Sequence, residues 1–265
     1  MTRASRRRVL AGPLLAVIAL AGTGCISSSS RPPPTGASVE EAAQYNLQLG
    51  IGYLRQGNPQ AAREKLEKAL TQQPDLATAH AALGVVFERL EDPEGAERHY
   101  RRAVDLNASD PDNLNALAVF VCSRKQKPEE ALKLFDRAIT IPLSVQSANR
   151  PMLYTNAGTC AKRMDLARSE NYLRGALAED PRYPDALFQL ADVSLERGNG
   201  LQARGFIERY LALGKPSPDA LWLAVRIEQS LQDKAAAGRY ADQLRKDFPE
   251  SAETRLLLEQ ARSRG

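Results

Sequence analysis

The chain has 265 residues, of which 43% are hydrophobic, 26% charged and 6% aromatic. That composition supplies one large core, two small ones or a repeat array, and it excludes a disordered chain. Three cysteines are too few for a disulfide-built mini-domain, two histidines beside them all but exclude a His/Cys zinc site, and the low aromatic content argues against a sandwich or barrel.

The formal net charge of +4 has a local origin. Arg3, Arg6, Arg7 and Arg8 precede an apolar run, Val9 to Ala21, that is shorter than the roughly 20 residues a spanning helix needs. The order of basic start, apolar run and small residues predicts an export signal. Ala21-Gly22-Thr23-Gly24-Cys25 resembles a bacterial lipoprotein box, with Gly22 where such boxes prefer Leu. The resemblance implies removal of residues 1–24 and lipidation of Cys25; an ordinary signal peptide with an incidental Cys is the competing reading. Ile26 stands where an inner-membrane lipoprotein would carry Asp, which implies the outer membrane, lipid-anchored on the periplasmic face. Ser5 to Leu10 also resembles a twin-arginine signal. Residues 25–39, rich in Ser and Pro, read as a flexible tether. Loss of the signal removes four arginines and no acid, so the rest is formally neutral and nucleic acid is not an expected partner.

From residue 40 the sequence repeats. Leu49-Gly50 recurs as Leu83-Gly84, Ala62 as Ala96 and Ala69 as Ala103, each 34 residues on. A 34-residue period with Leu-Gly, an aromatic three positions later, two Ala and a closing Pro is the tetratricopeptide pattern. Small residues let helices A and B of a repeat cross closely, and Pro74 stops helix B. Ala131, Phe135 and Ala138 continue the register with a one-residue slip at Lys127-Pro128. Weaker echoes follow through Ala176, Ala203 and Ala237. The expected fold is all-α: a right-handed α-solenoid over 40–264, with repeats at 43–76, 77–110, 112–145, 150–183, 184–217 and 218–251. A helix over 252–264 caps the stack with its charged face.

No nucleophile elbow, phosphate loop or metal spacing is present, so a non-enzymatic protein without cofactor, metal or small-molecule substrate is expected. His80 reads as core packing and His99, among arginines, as a solvated face. Cys122 and Cys160 fall at the eleventh position of consecutive A helices, which predicts a disulfide in an oxidising compartment; two buried thiols are the alternative.

In such arrays positions 2, 5, 9 and 12 of helix A line a concave groove. Leu47, Ile51 and Leu54 in the first repeat and Val85 in the second make its start apolar, which predicts a site for an amphipathic or extended partner segment. The alternative is burial under 37–43 or against the next repeat. Further along, Phe120, Tyr154, Phe188, Asp192, Trp222 and Arg226 give a mixed surface. Leu47 and Ile51 replace the Lys and Asn that chaperone-tail-binding repeats use to hold a carboxylate.

YNLQLGIGYLRQGNPQAAREKLEKAL (45–70), ERHYRRAV, a Cys in each of the third and fourth repeats and ERYLALGKPSPDALWLAVRIE (208–228) together resemble the type IV pilus biogenesis/stability lipoproteins, the PilF/PilW pilotins. The resemblance implies an outer-membrane lipoprotein that binds the pilus secretin at a hydrophobic groove in its first repeats and promotes secretin localisation and multimerisation, for pilus biogenesis and twitching motility. Val119-Phe120-Val121 and the basic turn Arg124 to Lys127 depart from that pattern. A general periplasmic scaffold for outer-membrane protein or cell-wall assembly, and a regulatory module of an enzyme, are the rival readings.

Overall fold

The computed structural model describes residues 38–142 and 149–262; the signal, Cys25 and the tether as far as residue 37 lie outside the described residues. Thirteen helices and no strand occur among those described. They are α1 (Val39–Arg55), α2 (Pro59–Gln72), α3 (Ala77–Arg89), α4 (Pro93–Leu106), α5 (Pro111–Ser123), α6 (Pro128–Thr140), α7 (Arg150–Ala161), α8 (Leu166–Glu179), α9 (Pro184–Glu196), α10 (Gly200–Leu211), α11 (Pro218–Ser230), α12 (Lys234–Asp247) and α13 (Ala252–Arg262). Successive helices pair as A and B of a repeat, and each pair packs on the next to form an all-α repeat solenoid.

Local chemistry sets the helix starts. Proline occupies the first turn of α2, α4, α5, α6, α7, α9 and α11, where its missing N–H costs nothing. Asn58, Asp92 and Asp233 accept hydrogen bonds from the first-turn N–H groups of Ala61, Gly95 and Ala236, which have no partner within the helix. Ser38 and Glu41 cap each other's backbone, so α1 starts at Val39, inside the segment read as tether and a turn before the repeat begins. In five of the six A–B turns one residue takes positive φ: Gly57, Glu91, Gln126, Gly198 and Gln232.

The close A–B crossing explains the Leu-Gly signature. A Cβ on Gly50 would lie 2.5 Å from Leu66 Cγ, one on Gly84 2.5 Å from the Tyr100 ring, and one on Gly158 2.6 Å from Leu173 Cγ. These equivalent contacts fix the register. By them the third repeat starts at 111, since Leu117-Ala118 follows Leu83-Gly84 by 34, and the fourth at 151; the expected starts of 112 and 150 are each one residue out.

The core is a strip running between the helix layers. One stretch joins α1 to α7 through residues such as Leu66, Leu83, Leu114 and Phe135. A second joins α8 to α11, and a third seats α13 on α11 and α12 through Leu257. Each fully buried Leu or Phe contributes about 1.5–3 kcal/mol relative to exposure. Besides its charged residues, α13 leaves Leu256 and Leu258 exposed, so its outer face is less polar than expected of a cap. Cys122 of α5 and Cys160 of α7 are bonded in the structure, with Cα atoms 6.1 Å apart, and so tie the A helices of the third and fourth repeats.

Candidate functional site

With the register fixed by the glycines, position nine of the six A helices reads Ile51, Val85, Val119, Thr159, Asp192 and Arg226. This ladder changes character along the groove. Ile51 and Val85 are half-buried against the core, and Val119 is 40% exposed. They give the first three repeats an apolar ridge.

Leu47 and Leu54 are not part of an open groove. They are only 3% and 8% exposed and belong to the same buried cluster as Ala79, Ala82, Leu83 and Val86 of α3. The physical reason is that α1 and α3 pack side by side. Positions five and twelve of the first A helix fall on the seam between them, and covering apolar side chains there is favourable. The Arg89 guanidinium at the end of α3 donates to the Leu54 carbonyl and holds the seam closed.

Two further groove assignments turn inward for a different reason. Phe120 is 1% exposed and packs 5.5 Å from the Tyr100 ring. Tyr154 covers Gly175 of α8, its ring 2.7 Å from where a Cβ would stand. Both follow from the one-residue register error, because one step rotates a helical side chain by about 100°. Val119, missed as a site residue, is the side chain that the corrected register brings to the groove.

Midway, the Asn156 amide donates to Asn115 Oδ1 at 2.9 Å across α5 and α7. Beyond it the groove is charged but internally paired. Lys162 bonds Asp192 and lies 2.9 Å from Glu196, while Arg226 lies 3.6 Å from Asp192. Burial acts to lower the Lys162 pKa, but the hydrogen bonds to Asp192 and Glu196 outweigh it and hold the ammonium above its ordinary value. Phe188 and Trp222 stand at position five of the last two repeats, half-buried.

The two histidines meet, which nothing in their sequence positions signalled. His80 Nδ1 and His99 Nδ1 are 3.0 Å apart, and His80 Nε2 is 3.1 Å from the Pro74 carbonyl. The tautomers that satisfy both contacts have His80 donating to Pro74 and accepting from His99. His99 also stacks on Phe87 at 5.2 Å, so it is packed rather than on a solvated face. Burial lowers its pKa to about 4, with His80 and Arg98 adding to the effect. Burial lowers His80 as well, against the pull of the Pro74 carbonyl.

Among the described residues no three His, Cys, Asp or Glu side chains are grouped to hold a metal, and no helix is long and apolar enough to cross a membrane. The arrangement offers a shaped, graded surface along the A helices, the usual equipment of a protein-binding array.

Comparison with known proteins agrees with that reading. Residues 47–113 and 162–226 match the tetratricopeptide repeat family. The type IV pilus assembly protein PilF of Pseudomonas aeruginosa is 29% identical over 242 residues, spanning 91% of this chain and 94% of PilF. The crystal structure of PilW, described as a widely conserved type IV pilus biogenesis factor, superposes with a TM-score of 0.75 at 25% identity, over 82% of this chain and 98% of PilW. The solved Pseudomonas aeruginosa PilF superposes with a TM-score of 0.72 at 28% identity, over 84% of this chain and 99% of that one. Near-complete coverage in both directions, together with the repeat register, means that this chain belongs to the tetratricopeptide repeat proteins of type IV pilus biogenesis.

Proposed function

We propose that the protein is an outer-membrane pilotin, anchored through lipidated Cys25, that binds the type IV pilus secretin along its concave groove and promotes the secretin's localisation and multimerisation. The observation that carries this reading is the end-to-end similarity to a pilus assembly protein. The ridge of Ile51, Val85 and Val119 supports it, because an apolar strip that reaches the surface suits an apolar segment of a partner.

Deletion tests the proposal. Loss of twitching together with loss of heat-resistant secretin multimers is the expected result. Normal multimers alongside a general envelope defect would instead favour a scaffold for outer-membrane or cell-wall assembly.

A further inference from the structure

The C-terminal half of the groove holds a cavity of 310 Å³ whose lining includes Asn156 of α7, Asp185, Phe188 and Gln189 of α9, Tyr210 of α10 and Asp219 of α11. The Phe188 and Tyr210 rings lie 5.5 Å apart and tilted by 58°, so a side chain entering the cavity meets aromatic surface. Asp185 and Asp219 are exposed, and neither forms an ion pair or side-chain hydrogen bond with another described residue. Two groove cations, Lys162 and Arg226, are already committed to Asp192, and Lys162 to Glu196 too, and none lines this cavity. Two carboxylates and two π faces therefore share a cavity that contains no cation.

The position of these acids has a partial structural account. Both are the second residue of their helix, where a negative charge favours the helix dipole. Asp112 holds the same place in α5, away from any aromatic cavity, so the dipole alone explains an Asp there. It does not explain two such acids flanking a half-buried Phe–Tyr pair, and it leaves their outer oxygens available. The amides add a second kind of capacity. Asn156 spends its N–H on Asn115 and keeps its carbonyl oxygen. Gln189 makes no hydrogen bond with another described residue. Side-chain amides at this spacing can pair with the backbone of an extended segment.

We propose that this cavity is a second subsite of the groove, which accepts an arginine or lysine side chain from a partner segment lying extended across α7, α9 and α11. A guanidinium fits best, because its flat face can lie on an aromatic ring while its N–H groups reach both carboxylates. A bare divalent cation fits poorly, since it needs several converging oxygen ligands and no such group is present among the described residues. The subsite rests on the preceding reading only for the identity of the partner; its chemistry is argued from this chain.

The test uses blocked tripeptides, Ac-Ala-Arg-Ala-NH2 against its Gln and Glu counterparts, titrated into the isotope-labelled protein and followed by NMR. The Arg peptide is expected to give saturable shifts confined to Asn156, Gln189 and the Phe188 and Tyr210 rings. Its affinity should fall about tenfold in the double variant Asp185→Asn, Asp219→Asn, and fade as salt shortens the screening length. Both sites are exposed, so the variant should stay folded, with a melting temperature lowered by no more than a few degrees through loss of the two helix-N-terminal charges. Equal shifts from the Gln peptide, no cavity shifts from the Arg peptide, or the same shifts from calcium alone would each overturn the subsite. Binding of the secretin's periplasmic fragment is measured in parallel: a parent protein that takes the Arg peptide and ignores the fragment keeps the subsite and refutes the pilotin reading.

Discussion

Leu47 and Val119 occupy groove-lining positions of equivalent helices, yet Leu47 is sealed between α1 and α3 while Val119 stands open on α5. The difference decides what a charge does at each. Leu47→Asp places an unpaired carboxylate in the core and should cost about 3–5 kcal/mol, enough to unfold the first repeat. Val119→Asp should leave the melting temperature within about 2 °C of the parent. It should nonetheless weaken secretin binding strongly, because a charge must be desolvated against an apolar partner. Thermal melts and a binding assay on the two variants check this; a Val119→Asp protein that melts as low as Leu47→Asp would place Val119 in the core.

Gly50 gives a control whose effect is purely steric. A Cβ there meets Leu66 Cγ at 2.5 Å and the Ala62 carbonyl at 3.2 Å, and backbone cannot move aside cheaply. Gly50→Ala should therefore destabilise by about 1–3 kcal/mol, although alanine is the better helix former. Gly52, on the same helix with nothing within 4 Å, should gain stability from the same change. A denaturation midpoint that moves the same way for both would refute the crossing as the cause.

The repeat fold was legible because its signature residues are in steric contact: Gly50 with Leu66 and Gly84 with Tyr100 are the same collision avoided twice, at a fixed offset. The groove was legible only while that offset held. The turn Arg124–Lys127 is one residue longer than Gln56–Asn58, and Gly158 meets Leu173 one position sooner than Gly50 meets Leu66. Small shifts of this kind hardly alter a hydrophobic pattern, but they rotate a face, which is how Phe120 and Tyr154 read as groove. Leu47 illustrates another limit: its spacing places it on one helical face with Ile51 and Leu54, but spacing within one helix does not say whether neighbouring helices cover that face. The His80–His99 contact joins two helices and leaves no periodic trace.

The histidine pair makes stability depend on pH. His99 has a folded-state pKa depressed from 6.5 to about 4, so the unfolded chain binds the proton more readily than the folded one. Its contribution is therefore complete above pH 6.5 and lost as pH falls toward 4. His99 is half-exposed, so screening reduces the effect to about 1–2 kcal/mol. His99→Gln should flatten the denaturant midpoint between pH 7 and pH 4.5 relative to the parent. An unchanged slope would mean that other groups carry the acid sensitivity.

Lipidation at Cys25 is the prediction that depends on sequence alone. Cys25→Ser removes the acceptor thiol, and without an acyl chain the protein should leave the membrane fraction or be mislocalised. Mass spectrometry of the parent should show a lipid-modified first residue after processing. A Cys25→Ser protein that fractionates as the parent does would remove the anchor from the proposed function while leaving the groove untouched.

The last prediction concerns Cys122 and Cys160. They lie 38 positions apart and bridge α5 to α7, the two A helices on either side of the connection between Ile141 and Asn149, which is longer than the other inter-repeat links. A solenoid repeat is held mainly by its neighbours, so a cross-link between the third and fourth repeats ties the two halves of the array to each other. A cross-link closing a loop of that length should stabilise by about 2–4 kcal/mol, chiefly by restricting the unfolded chain. Cys122→Ser with Cys160→Ser should lower the melting temperature and, if the junction is the weak point, split one transition into two. Amide exchange should rise in α5 to α8 before it rises in α1 to α4. Thiol titration of the exported protein, denatured without reductant, should find Cys122 and Cys160 unreactive, and free thiols at both would show that the bridge does not form.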